Sequence, residues 1–256
     1  MFLSAAAPFE WGEAKDSYTV EHPKRLSFTD NIEYINDGGN DLIRLIGEDK
    51  MIPAYYASSG VQSAMPLDVM ADYFTSLVGK NASVSKHDLA NTLARYLGKD
   101  KELTNEMLKS ISNKMKYQSV QLFIEEPEQN LYPDSQRNLT INLVCALKKA
   151  MPKGREDSML VMTTHSPYIL STLNVLIAEA YAMETMPKSD KLQNIVNKAC
   201  LFPSSAYSAY YIQEDGKFED IIDKDITMIS GNELDGVSDW VDDRIARINE
   251  VLYGGD

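Results

Sequence analysis

Two adjacent carboxylates, Glu125 and Glu126, close an apolar run in the stretch FIEEPEQNLYP, and a proline follows them at once. Like charges side by side repel, so the pairing suits a place where a cation sits. Magnesium prefers hard oxygen ligands and keeps several of its waters, so one protein carboxylate is enough to hold it. Glu125 is the candidate ligand. Glu126 is then placed to orient and deprotonate a water molecule, the work of a general base. A competing reading makes one glutamate a cap for the next helix and leaves the other solvated.

Two further clusters carry chemistry. TTHSP begins at Thr163 directly after another apolar run and presents His165 as a hydrogen-bond donor. A lone histidine is also compatible with a structural role, but His22 and His87 lie in polar surroundings and make weaker candidates. The stretch YYASSGVQSAM (residues 55–65) places Ser58, Ser59, Gly60 and Gln62 at the start of a predicted helix. Hydroxyls, unpaired backbone amides and the helix dipole together suit an anion such as a phosphate. An ordinary N-cap accounts for the serines equally.

These residues need elements that bring them to one place. SVQLFI (119–124) and SMLVMTT (158–164) read as buried strands, and DSQRNLTINLVCALKKA (134–150) and YILSTLNVLIAEAYA (168–182) as amphipathic helices. Strands alternating with helices predict βαβ units and a parallel sheet, and ligands of such sheets bind at the carboxyl ends of the strands. Glu125, Glu126 and His165 all fall at those ends. Upstream, RLSF, IEYIN and DLIRLI predict strands, with NDGGN turning between the last two. AMPLDVMADYFTSLVG has helical spacing, with Pro66 expected in a first turn or at a kink. Residues 80–117 predict a polar helical piece, with one helix carrying Leu89, Leu93 and Leu97 and a second burying Met107, Leu108, Ile111 and Met115. AYSAYYIQEDGKFEDII predicts a hairpin turning at Asp215-Gly216. The chain closes on a predicted helix from about 235, with Trp240 inward.

A net charge of −13 argues against an overall electrostatic grip on nucleic acid, which rests on phosphate neutralisation by Lys and Arg; a local basic patch stays open. No apolar run approaches the roughly 20 residues that span a bilayer. The start lacks the basic leader of a signal peptide. Cys145 and Cys200, far apart in apolar contexts, predict reduced core thiols and a cytoplasmic protein.

Taken in order, ASSGVQS, LFIEEPEQNLYP and VMTTHSP resemble the signature, the Walker B motif with its D-loop, and the switch histidine of ABC-type ATPases. The branch they resemble includes the overcoming-lysogenization-defect (OLD) nucleases and related AAA-type ATPases of bacterial defence systems, over residues 52–173. The resemblance implies an α/β P-loop NTPase (ABC-ATPase-like) C-terminal lobe with parallel strands and a helical insertion. Residues 64–117 would form the signature and insertion subdomain, and 118–256 the α/β lobe. It implies ATP and Mg2+ as cofactors, Glu125 as metal ligand, Glu126 as catalytic base and His165 as the switch contact to the γ-phosphate. Ser58 and Gly60, with Ser59 and Gln62 beside them, would reach a partner's nucleotide across a homodimer. Glu128, Asn130 and Leu131 would lie in the D-loop facing the opposite subunit.

The sequence departs from that pattern in three respects. Ser59 and Val61 stand where transporters carry Gly and Gln, about 60 residues separate signature from Walker B, and neither a Q-loop nor G-x-x-x-x-G-K-[ST] occurs. The Gly-rich loop is what cradles the phosphates. The expectation is therefore the C-terminal part of a longer ATPase, hydrolysing ATP only when a Walker A segment is supplied, with a nucleic-acid or effector-protein partner and no membrane. The alternative is a non-catalytic dimerisation module derived from such an ATPase. Asp220, Asp223 and Asp225 are too scattered to assign a nuclease centre.

Overall fold

The computed structural model of the chain describes residues 7–81, 105, 116–151, 158–223, 227–231 and 244–247. Helix α1 (Ala7–Asp16) leads into an antiparallel sheet of β1 (Lys24–Arg25), β2 (Ile32–Asp37), β3 (Asn40–Leu45) and β4 (Met51–Pro53), in that spatial order. The β2–β3 turn rests on Gly38 and Gly39, at φ 55° and 90°. A two-residue hairpin demands such angles and glycine meets them without a Cβ clash. Of the strand expected at RLSF only Arg25 lies in β1, although Leu26 and Phe28 still enter the core. The three residues of β4 are too few for periodicity to announce.

Helix α2 (Ser59–Leu77) is capped by Ser58, whose side chain accepts a hydrogen bond from the Val61 amide. Pro66 lies inside this helix rather than in its first turn, so it removes one backbone hydrogen bond from the interior. Val61, Ala64, Met65 and Val69 form the buried face, at the spacing that puts side chains on one side of a helix. Asp68 is fully buried on the same helix. It accepts hydrogen bonds from the Ser27 amide (2.6 Å) and Asn142 Nδ2 (2.8 Å) and pairs with Lys24 at 3.4 Å.

Next come β5 (Gln121–Glu125), α3 (Pro133–Ala150), β6 (Met159–Thr163) and α4 (Pro167–Thr185). β5 and β6 pair in parallel, from Gln121↔Met159 to Glu125↔Thr163. The structure is thus mixed α/β with a parallel strand pair. Leu122 and Ile124 join a core shared with α2, α3 and the antiparallel sheet, with Leu160 and Met162 packed against it. The opposite face, Gln121, Phe123 and Glu125 beside Met159, Val161 and Thr163, is exposed. The two strands were expected to be buried; they are buried on one side only.

A second core cluster gathers Val144, Leu147, Leu176, Cys200 and Phe202 between α3, α4 and the segment that follows. Here the expectation of reduced thiols fails: Cys145 and Cys200 are joined in a disulfide, with Cα atoms 4.3 Å apart. Packing of the 198–200 turn on α3 brings the two side chains together, which their 55-residue separation did not reveal. After α5 (Asp190–Ile195), β7 (Tyr210–Ile212) and β8 (Phe218–Asp220) form the expected hairpin, with Gly216 at φ 81°. β9 (Ile222–Asp223) and β10 (Met228–Ile229) pair antiparallel, and Asn174 on α4 exchanges two hydrogen bonds with Ile229.

The helices expected within 80–117 and most of the closing helix lie outside the described residues; Arg244–Arg247 is helical. At the edges of the 80–117 piece, the Gly79 amide donates to Tyr117 O (2.8 Å) and the Tyr117 amide to Lys80 O (3.0 Å). The segment therefore leaves and re-enters the fold at one point. Among the described residues, no helix is long and apolar enough to cross a membrane.

Candidate active site at the strand ends

β5 and β6 end side by side, so the residues after each strand meet. The Glu126 amide donates to Thr163 O at 2.9 Å, zipping the two exits together. Glu126 itself sits at φ 46°, a left-handed backbone uncommon for a residue with a Cβ. Such conformations persist where surrounding bonds over-determine them and cluster at functional sites. Glu126 Oε1 lies 3.8 Å from His165 Nε2, and Glu126 Oε2 accepts from Gln129 Nε2 at 2.7 Å. The His165 side chain is 84% exposed and that of Glu126 39%, so the pair opens to solvent. Glu125, one residue earlier, belongs to the exposed face of the parallel pair.

Several hydrogen bonds fix the loop that carries His165. Glu128 Oε1 accepts from Thr164 Oγ1 (2.8 Å) and from the His165 amide (2.7 Å). Thr164 Oγ1 in turn accepts from the Ser166 amide at 2.9 Å. Ser166 caps α4 by accepting from the Tyr168 amide and donates its hydroxyl to Gln136 Oε1 at 2.5 Å. Gln136 Nε2 reaches back to Leu131 O at 2.8 Å. The two strand-end loops and the starts of α3 and α4 thus form one bonded unit.

The third cluster abuts this unit through the turn at 128–131. Asn130, at φ 59°, donates from Nδ2 to Ser63 Oγ at 3.2 Å. Gly60 is buried against it, and a Cβ at Gly60 would stand 2.5 Å from Asn130 O. Ser58 and Ser59 are exposed at the first turn of α2. Gln62 directs its side-chain amide to Tyr55 O (3.0 Å) and Ala57 O (2.7 Å), bracing the turn before the helix. Asn130 and Leu131 touch α2 of their own chain, and Glu128 is directed to Thr164 and His165. The contributions of Gln136 and Ser166 were not foreseen from the sequence. A Ser-Pro pair opening a helix is the one signal that pointed to the Ser166 cap.

Among the described residues, no group of three or more His, Cys, Asp or Glu side chains is arranged to hold a metal. Adjacent carboxylates at a strand end fit a magnesium ion held mainly by water and phosphate oxygens, not a cation caged by protein. The donor set of Glu125 and Glu126, all hard oxygens, is of that kind.

Residues 121–171 match the family described as "AAA domain, putative AbiEii toxin, Type IV TA system". This stretch is similar to an AAA domain of the P-loop ATPases. It covers about a fifth of the 256-residue chain and holds β5, α3, β6 and the start of α4. Both strand-end clusters lie inside it. A nucleotide-binding, ATPase-like function is what this likeness supports. No curated protein matches the chain.

Proposed function

We propose that this chain supplies the Walker B and switch-histidine half of an ATP-hydrolysing head of the ABC/AAA type, in the OLD-like branch. The observation that carries the reading is the meeting of Glu125, Glu126 and His165 at the carboxyl ends of two parallel strands, inside the AAA-like stretch. Bound magnesium would neutralise phosphate charge there. Glu125 would hold the ion through its water shell. Glu126 Oε1 takes a proton from the attacking water and keeps that water oriented, while Gln129 holds the other carboxylate oxygen. His165 donates a hydrogen bond toward the γ-phosphate. Ser58 and Ser59, exposed at the first turn of α2, meet the nucleotide of a second head, so two heads close on ATP; buried Gly60 seats that turn against Asn130, and Gln62 braces it.

A Gly-rich phosphate loop must come from a complementary α/β segment. The exposed face of β5 and β6 supports this: strands of a parallel sheet are ordinarily covered on both faces, and Phe123 is 51% exposed there. The service of such a head in a defence or DNA-related process rests on analogy with the family.

Sedimentation of the chain mixed with a Walker A segment tests the reading, with Glu126→Gln in place to stop turnover. The variant pair is expected to shift to a dimer of heads with Mg-ATP and to return with Mg-ADP. Identical sedimentation under all conditions removes the ATP-driven dimer and leaves the non-catalytic interaction module.

A further inference from the structure

Within the strand-end unit, Glu128 bonds differently from its neighbours. One oxygen accepts from two consecutive residues of the opposite loop, the Thr164 hydroxyl and the His165 amide. The other oxygen is buried with no hydrogen-bond partner. A buried acceptor without a donor is disfavoured, and a carboxylate tolerates it when its other bonds are strong. Hydrogen bonds to an ionised acceptor are of that kind.

His165 depends on these bonds. Its side chain is 84% exposed, so packing does not fix it. The strand ladder ends at Glu125↔Thr163, two residues before it. Beyond the ladder, the bond from the Glu126 amide to Thr163 O and the two bonds to Glu128 continue the zipper between the loops. Glu126 and Glu128 belong to the same tight turn, in which the Gln129 amide donates to Glu126 O and the Leu131 amide to Glu128 O. One turn therefore holds both the candidate base and the backbone of its histidine partner.

We infer that Glu128 is a positioning residue, whose carboxylate sets the place of the His165 imidazole relative to Glu126. It touches neither water nor nucleotide in this role. The inference rests on the assignment of Glu126 and His165 to one site and deepens it. It also gives the third acidic residue of EEPE a duty inside its own chain.

Amide and imidazole NMR of the full chain tests this without requiring turnover. The His165 amide proton is expected downfield and protected from exchange. Glu128→Ala is expected to accelerate its exchange at least about tenfold, as the loss of a charge-assisted bond implies. Glu128→Gln keeps an acceptor oxygen and is expected to stay within a few-fold of the parent. Thr164→Val, which removes one of the two donors, provides a milder lesion should Glu128→Ala fail to fold. Coupling is the decisive readout. Glu126→Gln should move the His165 ring resonances in the parent, and should move them much less in the Glu128→Ala or Thr164→Val background. An equal response in every background overturns the inference, as does unchanged His165 exchange in Glu128→Ala. Because no nucleotide enters these measurements, loss of coupling without ATP turnover would sink the ATPase reading and leave Glu128 in its place. Turnover that is indifferent to Glu128→Ala would do the reverse.

Discussion

At the residue scale, two close contacts show how tightly the fold is tied together. Gly60 allows the start of α2 to lie against the Asn130 carbonyl, and an added Cβ would meet that backbone oxygen at 2.5 Å. Gly60→Ala is therefore expected to lower stability by about 1–3 kcal/mol, the usual cost of overpacking. Urea denaturation would show it as a shifted midpoint at unchanged slope. Lys24 and Asp68 form the second case. Burial works against the Lys24 charge, yet Asp68 and Asp72 together hold its ammonium above the ordinary value. Burial pushes the Asp68 carboxyl up, while Lys24 pulls it down. Lys24→Met leaves a buried carboxylate without its cation, at a cost of about 3–5 kcal/mol at neutral pH. With Asp68 raised, the folded variant binds a proton more readily than the unfolded chain, so its deficit shrinks as pH falls through the raised value. Urea midpoints of variant and parent at about pH 7 and about pH 5 read that sign. A deficit that grows on acidification would contradict it.

At the scale of elements, α3 is the spine, with Leu139 and Leu143 in one core cluster and Val144 and Leu147 in the other. Leu143 is fully buried on it, and Leu143→Ala is expected to cost about 2–5 kcal/mol in the same denaturation assay. The Cys145–Cys200 bond ties α3 to the segment after α5 across 55 residues. Its reduction is expected to remove about 2–4 kcal/mol, measured as the shift in urea midpoint on adding a thiol reductant. The parallel pair makes a different kind of prediction. Phe123 is exposed on the uncovered face, so Phe123→Ser should leave the midpoint of the chain nearly unchanged. It should instead weaken binding to a Walker A segment, measured by calorimetric titration. A large loss of stability in the chain alone would show that the face is already covered.

At the scale of the whole molecule, the parts of the fold closest to the site were the most legible. The apolar runs that became β5 and β6, and the helical spacing of α3 and α4, announced a βαβ unit whose strand ends carry Glu125, Glu126 and His165. The Gly38-Gly39 and Gly216 turns were equally plain, because their backbone angles demand particular residues. What stayed hidden depends on tertiary contact. Glu128 gives no sign in sequence that it faces Thr164 and His165, Gly60 none that it meets Asn130, and the two cysteines none that they are neighbours. Half-burial of the parallel strands was also illegible, since strands buried on one face and on both share the same apolar pattern. Among the described residues, the strand ends bring Glu126 and His165 together beside the exposed face of β5 and β6.

The most direct test is magnesium-ATP turnover by this chain, alone and with a Walker A segment, with Glu126→Gln measured in parallel. Turnover is expected only in the complemented preparation, with a loss of about two or more orders of magnitude in Glu126→Gln, as general-base removal implies. A folded complex that hydrolyses no ATP, or hydrolyses it as fast without the Glu126 carboxylate, would contradict this expectation.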